Sequence, residues 1–254
     1  DIPSVDFLET LGVQAYKIPS ACLSDIYLAQ RVATTGKPVI FSTGMHSQGE
    51  ISQMANYHRN ELGRGDRSAY LHCISSYPTA NRDVNLGFLR TLAVITGTPV
   101  GYSGHERGIP ITAAAVAFGA HIIERHFTMD RTQAGPDHAA SLEPHGLETL
   151  VRHIRAIEEA MGDRKVVNQG EVVARETLGK VLTWAADFPA GAPITKDSFM
   201  ATSPGYGMAV PRAIYSIGHP HRTARAVLRG MPVDETDIEN AVEVVPAMMG
   251  GEHV

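Results

Sequence analysis

Cysteine is scarce in this chain: Cys22 and Cys73 are the only two in 254 residues. Two cysteines cannot build a disulfide framework, which excludes the small stapled scaffolds of secreted proteins. Both sit at or just past the end of an apolar run and read as reduced thiols. Blocks of like charge are also missing, and the formal net charge is only -5. Neither a nucleic acid nor a membrane surface is therefore the expected partner. The longest apolar stretch, residues 111–120, is too short to cross a bilayer, and no basic segment followed by an apolar one opens the chain. A cytoplasmic protein is the expectation. With 43% hydrophobic and 19% charged residues, the chain can bury a full core.

One unit recurs. AYKIPS (15–20), PVIFSTGM (38–45), AYLHCISSY (69–77), PVGYSGH (99–105) and HIIERHFT (121–128) each run from apolar residues into small polar ones. Helical patterns such as SDIYLAQRVAT (24–34), ITAAAVAFGA (111–120) and GLETLVRHIRAIEEAMG (146–162) lie between or after them. Alternating strands and helices predict a parallel sheet. The spacing fits a (β/α)8 TIM barrel, which takes about 31 residues per unit. An open doubly wound sheet would hold its ligand at one switch point, whereas here every strand finishes in Ser, Thr, Tyr or His. Five units do not close an eight-stranded barrel, so three more strand and helix units are expected before Asp1. The opening DIPSVDFLETLGV reads as a helix leading into a strand.

The barrel portion is expected over residues 1–165, followed by a polar linker at 166–177. Residues 178–242 read as a small β-rich module and 243–254 as a tail. Within the module, GAPITKDSF (191–199) and GMPVDETDI (230–238) share Gly, Pro, a β-branched residue and a terminal apolar residue at the same spacing.

Twelve histidines is a high count for this length, and two of them hold matched places. His105 and His126 each close a strand, and one helix-sized segment separates them. Neighbouring parallel strands lie about 4.8 Å apart, so two such imidazoles can share one metal. Each taken alone reads sooner as a strand cap bonded to a loop, and only the matched places bring the metal reading level with it. Ser20, Ser42, Thr43, Gly44, Ser75, Ser76 and Ser103 bring hydroxyls and amides to the same end, with Lys17 adding positive charge, a set that suits a phosphate-bearing substrate. Any single serine reads sooner as a turn or cap, and the signal lies in their joint position. Alternation puts Glu124 with His126 on one face, as an acid–base group, a metal-supporting carboxylate or an external ion pair. The same alternation sends Lys17 and Ser20 to opposite faces unless the strand ends early. The GPDH loop carries Asp137 and His138.

Taken in order, YKIPS, FSTGM, LHCISSYPT, YSGH, IERHFT, GPDHAAS and SPGYG resemble the sialic acid synthases and their legionaminic and pseudaminic acid relatives. The resemblance implies a TIM barrel fused to an antifreeze-like (SAF) domain. It also implies a domain-swapped homodimer in which each small domain covers the partner's barrel mouth. The implied reaction condenses phosphoenolpyruvate with an N-acetylated hexosamine such as N-acetylmannosamine, giving a nine-carbon 2-keto acid and phosphate. Carried onto this chain, it makes His105 and His126 ligands of Mn2+ or Mg2+. Lys17, Ser20, Ser42 and Ser103 become phosphoenolpyruvate contacts, with Ser75 in the place of a family asparagine among them. Tyr77, Glu124 and Asp137 become catalytic or sugar-side groups. The resemblance further implies one strand bearing glutamate and another bearing lysine before Asp1. Departures fall at Cys22, where the family has glutamate, at Gly104, where it has aspartate, and at Ser203, in place of an arginine for which Arg212 is a nearby candidate. Two rivals stay open: a different phosphoenolpyruvate-dependent synthase of deoxy-sugar acids, and a non-catalytic sugar-binding homologue.

Overall fold

The computed structural model describes residues 1–203 and 221–239. It divides into two compact units, Asp1–Asp163 and Arg164–Val254.

The first unit begins with helix α1 (Ile2–Thr10) and then alternates β1 (Tyr16–Ile18), α2 (Ile26–Ala33), β2 (Val39–Ser42), α3 (Gln48–Asn60), β3 (Ser68–Cys73), α4 (Phe88–Thr96), β4 (Val100–Gly104), α5 (Pro110–Ala117), β5 (Ile122–Arg125) and α6 (Pro144–Ala160). All four strand pairings are parallel, and the strands lie side by side in chain order, β1 to β5. Order without reversal is what a barrel wall shows, whereas a doubly wound sheet changes direction at its switch point. Curl is evident from one distance. Laid flat, β1 and β5 would stand about 19 Å apart at the usual strand spacing, yet Lys17 Nζ on β1 lies 3.1 Å from Glu124 Oε2 on β5.

The helices begin and end where sequence chemistry dictates. Asp25 accepts from Leu28 N at the start of α2, Ser47 and Glu50 form a capping box on α3, Pro110 opens α5, and α4 stops at Gly97, whose φ is +62°. On the sheet's outer face, Tyr16, Ile18, Val39, Phe41, Tyr70, Val100 and Tyr102 pack with helix residues including Leu28, Val32, Ile51, Leu89, Leu92 and Ala115. The inner face has little room. A Cβ on Gly101 would sit 2.3 Å from the Ile122 carbonyl oxygen and 2.5 Å from Leu71 Cδ2.

Two strands are shorter than the sequence pattern predicts. β3 stops at Cys73 rather than Tyr77, and β5 at Arg125 rather than Thr128. The polar residues beyond them therefore belong to loops above the strand ends. Those loops keep contact with the wall: Thr79 bridges to Glu106, and Phe127 to Leu142.

In the second unit, part of the expected linker at 166–177 is helical. Helix α7 (Gln169–Leu178) starts at a capping box in which Asn168 accepts from Glu171 N and Glu171 accepts from Asn168 N. Its apolar residues are few and follow no period, which hid a helix that its cap specifies. Beyond it, β6 (Val181–Trp184) pairs antiparallel with β8 (Phe199–Thr202), and β9 (His221–Thr223) pairs antiparallel with β7 (Pro193–Ile194) and β10 (Ile238–Glu239). The two nine-residue repeats fold alike. Each opens on a glycine at positive φ, Gly191 at +77° and Gly230 at +81°, and then turns through a capped 3-10 helix at 196–198 or 235–237. Trp184, Leu182, Val227, Val233 and Ile238 form this unit's core. Arg212, the SPGYG turn beyond Ser203 and the 243–254 tail lie outside the described residues.

His58 of α3 generates a pH prediction. It is 1% exposed and stacked on Phe41 with ring centroids 4.1 Å apart. Its Nδ1 lies 2.7 Å from the Tyr70 hydroxyl, and Nε2 has no partner. Burial pushes its pKa down to about 4. Between pH 6.5 and 4 the unfolded chain takes up a proton that the folded chain refuses, so stability falls as pH drops through that window, by on the order of 3 kcal/mol for this group. Urea midpoints across pH 7 to 4 are expected to fall less steeply for His58→Phe than for the parent. Parallel curves would contradict this assignment.

Candidate active site

The strand ends supply two clusters. At β1 the chain leaves extended geometry after Ile18 and enters a 3-10 turn at Ser20–Cys22. That early end resolves the parity conflict, since Lys17 and Ser20 now both reach the inner, carboxyl-terminal side. Ser20 Oγ accepts from Gly44 N at 3.0 Å. A Cβ on Gly44 would lie 2.2 Å from Ser75 Oγ, 2.8 Å from Ser20 Oγ and 3.3 Å from Cys73 Sγ. Three loops thus converge on a bare Cα, and only glycine permits it. Ser42, 2% exposed, has no hydrogen-bond partner for its hydroxyl. A buried polar atom without a partner is uncommon and fits a position that a ligand completes.

The second cluster follows from strand register. Cys73 pairs with Ser103, and Ser103 with Glu124, along one inward row. Ser103 Oγ donates to Glu124 Oε1 at 2.7 Å, while Lys17 holds Oε2. Lys17 and Glu124 side chains are 32% and 39% exposed. A pair this open contributes roughly 0–1 kcal/mol to folding, so its importance lies in placing a cation and a carboxylate at one mouth.

His105 and His126 meet just beyond the last paired residues of β4 and β5, Gly104 and Arg125. Their ring centroids are 5.0 Å apart, nearly perpendicular. His105 is buried, and its Nδ1 lies 2.8 Å from the Ile74 carbonyl oxygen. A carbonyl only accepts, so Nδ1 carries a proton, and it is Nε2 that holds the lone pair of the neutral ring. That is the tautomer a metal-ligating imidazole needs, with its other nitrogen tied to backbone. The Tyr77 ring lies 4.1 Å from His105 and 5.9 Å from His126 between centroids. Burial raises the Tyr77 pKa, with Cys73 and Asp137 adding to the effect, so its hydroxyl stays protonated at neutral pH. Asp137 Oδ2 stands 3.7 Å from His126 Nδ1. Among the described residues, no group of three or more His, Cys, Asp or Glu side chains converges as a complete metal cage. Any ion here would rest on two imidazoles plus water or substrate oxygen.

Lys17, Ser20, Ser42, Ser75, Tyr77, Ser103, His105, Glu124, His126 and Asp137 therefore gather at or above the carboxyl ends of one curled sheet. Other residues singled out in the sequence have partners of their own. His138 braces its own loop, with Nδ1 2.7 Å from Thr128 Oγ1. Cys22, where the family has glutamate, is partly buried and packs against the apolar core. Ser203 belongs to the second unit and donates to the Leu178 and Gly179 carbonyls. The Ile74 carbonyl that orients His105 was not legible, because side-chain patterns do not report backbone acceptors.

Residues 1–166 match the model of the NeuB family. N,N'-diacetyllegionaminic acid synthase of Legionella pneumophila is 39% identical over 214 residues, 82% of this chain and 60% of that protein. The N-acetylneuraminic acid (sialic acid) synthetase of Leptospira borgpetersenii, solved in complex with citrate, superposes with a TM-score of 0.62 at 36% identity, over 70% of this chain and 63% of that one. A putative spore coat polysaccharide biosynthesis protein E from Chromobacterium violaceum superposes with a TM-score of 0.74 at 25% identity, over 94% of this chain and 71% of that one. The chain spans less than two thirds of the length of the curated relatives it matches first.

Gly44→Ala is expected to weaken binding of inorganic phosphate by about tenfold or more, the usual loss of a hydrogen bond to a charged group, by forcing the Ser20 and Ser75 hydroxyls apart, and to lower the melting temperature while circular dichroism still shows a folded protein. Calorimetric titration checks it, and unaltered affinity would remove Gly44 from the anion site.

Proposed function

This chain belongs to the NeuB family, and on that premise we propose that the protein condenses phosphoenolpyruvate with an N-acetylated hexosamine to a nine-carbon 2-keto acid, releasing phosphate. The observation that carries the reading is the junction, at one mouth, of an anion cradle, a Lys17–Glu124–Ser103 relay and a paired imidazole site. Carbon 3 of phosphoenolpyruvate attacks the aldehyde carbon of the open-chain sugar, water adds to carbon 2, and phosphate leaves. Six carbons and three give nine.

Each residue has a task in that scheme. Lys17, with the Ser20, Ser42 and Ser75 hydroxyls, holds the phosphate and carboxylate, and the Gly44 amide, by donating to Ser20 Oγ, leaves the Ser20 hydroxyl proton free to point at the anion. Glu124, gripped by Lys17 and Ser103, exchanges a proton with the reacting oxygen or with water. Tyr77 donates from its protonated hydroxyl to the sugar, and Asp137 accepts from sugar hydroxyls beside His126. His105 and His126 would hold Mn2+ or Mg2+, which when bound polarises a carbonyl oxygen as a Lewis acid. Hard, oxygen-preferring ions complete their shells with water and substrate, so two protein ligands are compatible with this site.

For the whole protein, we take residues 1–165 as part of a (β/α)8 barrel and residues 178–242 as an SAF-type module. We further take the protein to be a cytoplasmic, domain-swapped homodimer. The unreversed strand order and the duplicated glycine-to-3-10 turns support the two architectures. No described helix is long and apolar enough to cross a membrane.

Full-length protein supplied with Mn2+ and phosphoenolpyruvate is expected to release phosphate and 2-keto acid in equal amounts with at least one N-acetylated hexosamine, and none without acceptor. Glu124→Gln is expected to lower kcat by about 100-fold or more, the usual span for a lost acid–base group. Silence with every sugar, or full activity in the variant, would defeat this reading.

A further inference from the structure

A buried ion pair that the proposed reaction does not use lies next to the two histidines. Glu106 follows His105 and Arg125 precedes His126, so each partner is one peptide link from one imidazole. Arg125 Nη1 lies 3.0 Å from Glu106 Oε1, with side chains 2% and 0% exposed. The carboxylate is fully engaged, since Glu106 Oε2 accepts from the Tyr102 hydroxyl at 2.8 Å and Oε1 from Thr112 at 2.5 Å. Arg125 also donates to Thr112 Oγ1 at 2.6 Å, to the Gly108 carbonyl at 2.8 Å and to Glu106's own carbonyl at 2.6 Å. Gly104 makes the space: a Cβ there would fall 2.6 Å from Glu106 Oε2 and 2.7 Å from the Tyr102 ring. The aspartate that the resemblance led one to expect at 104 would occupy the volume that the Glu106 carboxylate fills.

Stability alone does not account for such a pair, because well-packed apolar residues often replace a buried ion pair without loss of folding. What an apolar pair lacks is direction. The strand ladder ends at Gly104 and Arg125, one residue short of the histidines. Beyond it, each histidine carbonyl is tied to a different loop, His105 to Thr79 N at 3.1 Å and His126 to Leu142 N at 2.8 Å. Those bonds fix each histidine separately. The Glu106–Arg125 pair joins the residue after one directly to the residue before the other.

We propose that Glu106 and Arg125 are positioning residues that set the separation and orientation of His105 and His126, and so the metal affinity of the site. In its metal part this rests on the ligand role proposed above for the two histidines. The pair touches neither substrate nor ion and acts only through the histidines.

The test uses the full-length protein and the double variant E106L/R125M, with E106Q as a second variant should the double variant not fold. Two readouts are taken, Mn2+ affinity by calorimetry and, on metal-free protein, the His105 tautomer by imidazole 15N NMR. Folding is checked by circular dichroism and melting. The expected result is a folded variant with Mn2+ affinity lowered 10- to 100-fold, the usual loss when a group supporting a metal ligand is removed. The His105 tautomer, fixed with the proton on Nδ1 in the parent, should become mixed. A folded variant that keeps the parent's Mn2+ affinity and tautomer overturns the proposal. Parent protein that binds Mn2+ no better than His105→Ala defeats the ligand reading instead, and the tautomer then decides positioning by itself.

Discussion

Curl of the parallel sheet is the constraint on which the site depends. Five strands in chain order, each joined to the next through a helical segment, bend so far that a lysine on the first meets a glutamate on the fifth. The contact itself adds little to folding, because both side chains are partly in water. The bend is driven from outside, by helices packing on the aromatic and β-branched outer face, and from inside by the close approach of Leu71 and Ile122 at Gly101. Everything polar at the strand ends is thereby aimed at one volume. Without the bend, the Gly44 cradle near β1 and the histidines beyond β4 and β5 would belong to separate surfaces.

Within that volume the chemistry is divided between the two sides. Near β1 and β2, hydroxyls and one backbone amide crowd around a residue with no side chain, which favours a compact anion. Beyond β4 and β5, an imidazole with its outer nitrogen tied to a carbonyl presents a lone pair beside a second imidazole. Glu124 and Lys17 span the gap. This division suits the proposed joining of a phosphorylated three-carbon acid to a sugar aldehyde, with one side for charge and the other for a polarised oxygen.

Much of this was legible in the residues. Apolar runs ending in Ser, Thr or His gave the strands, their spacing gave the parallel order, and the matched places of His105 and His126 gave the pair. Alternation put Glu124 on the inner face, where it meets Ser103. Other features lay beyond pattern reading, each for a physical reason. Periodicity cannot see an early strand end, so Lys17 and Ser20 seemed to diverge. It cannot see backbone acceptors, so the Ile74 carbonyl behind His105 was invisible. Helix α7 has too few apolar residues to show a period and is specified by its cap. Cys22 follows a strand end, as a site residue would, but in the 3-10 turn it lies partly buried against the core. Glu106 and Arg125 sit on different elements, 19 positions apart, so no local pattern reports that they pair.

One curled mouth holds both the proposed anion cradle and the paired imidazoles. The most direct measurement is a crystal structure of the full-length protein with Mn2+ and phosphoenolpyruvate, the ion located by its anomalous signal. The expected result is one manganese peak bonded to both His105 and His126, with the phosphate on the Ser20, Gly44 and Ser75 shelf of the same mouth. Manganese or phosphoenolpyruvate bound away from these strand ends, in protein that still turns over, would contradict it.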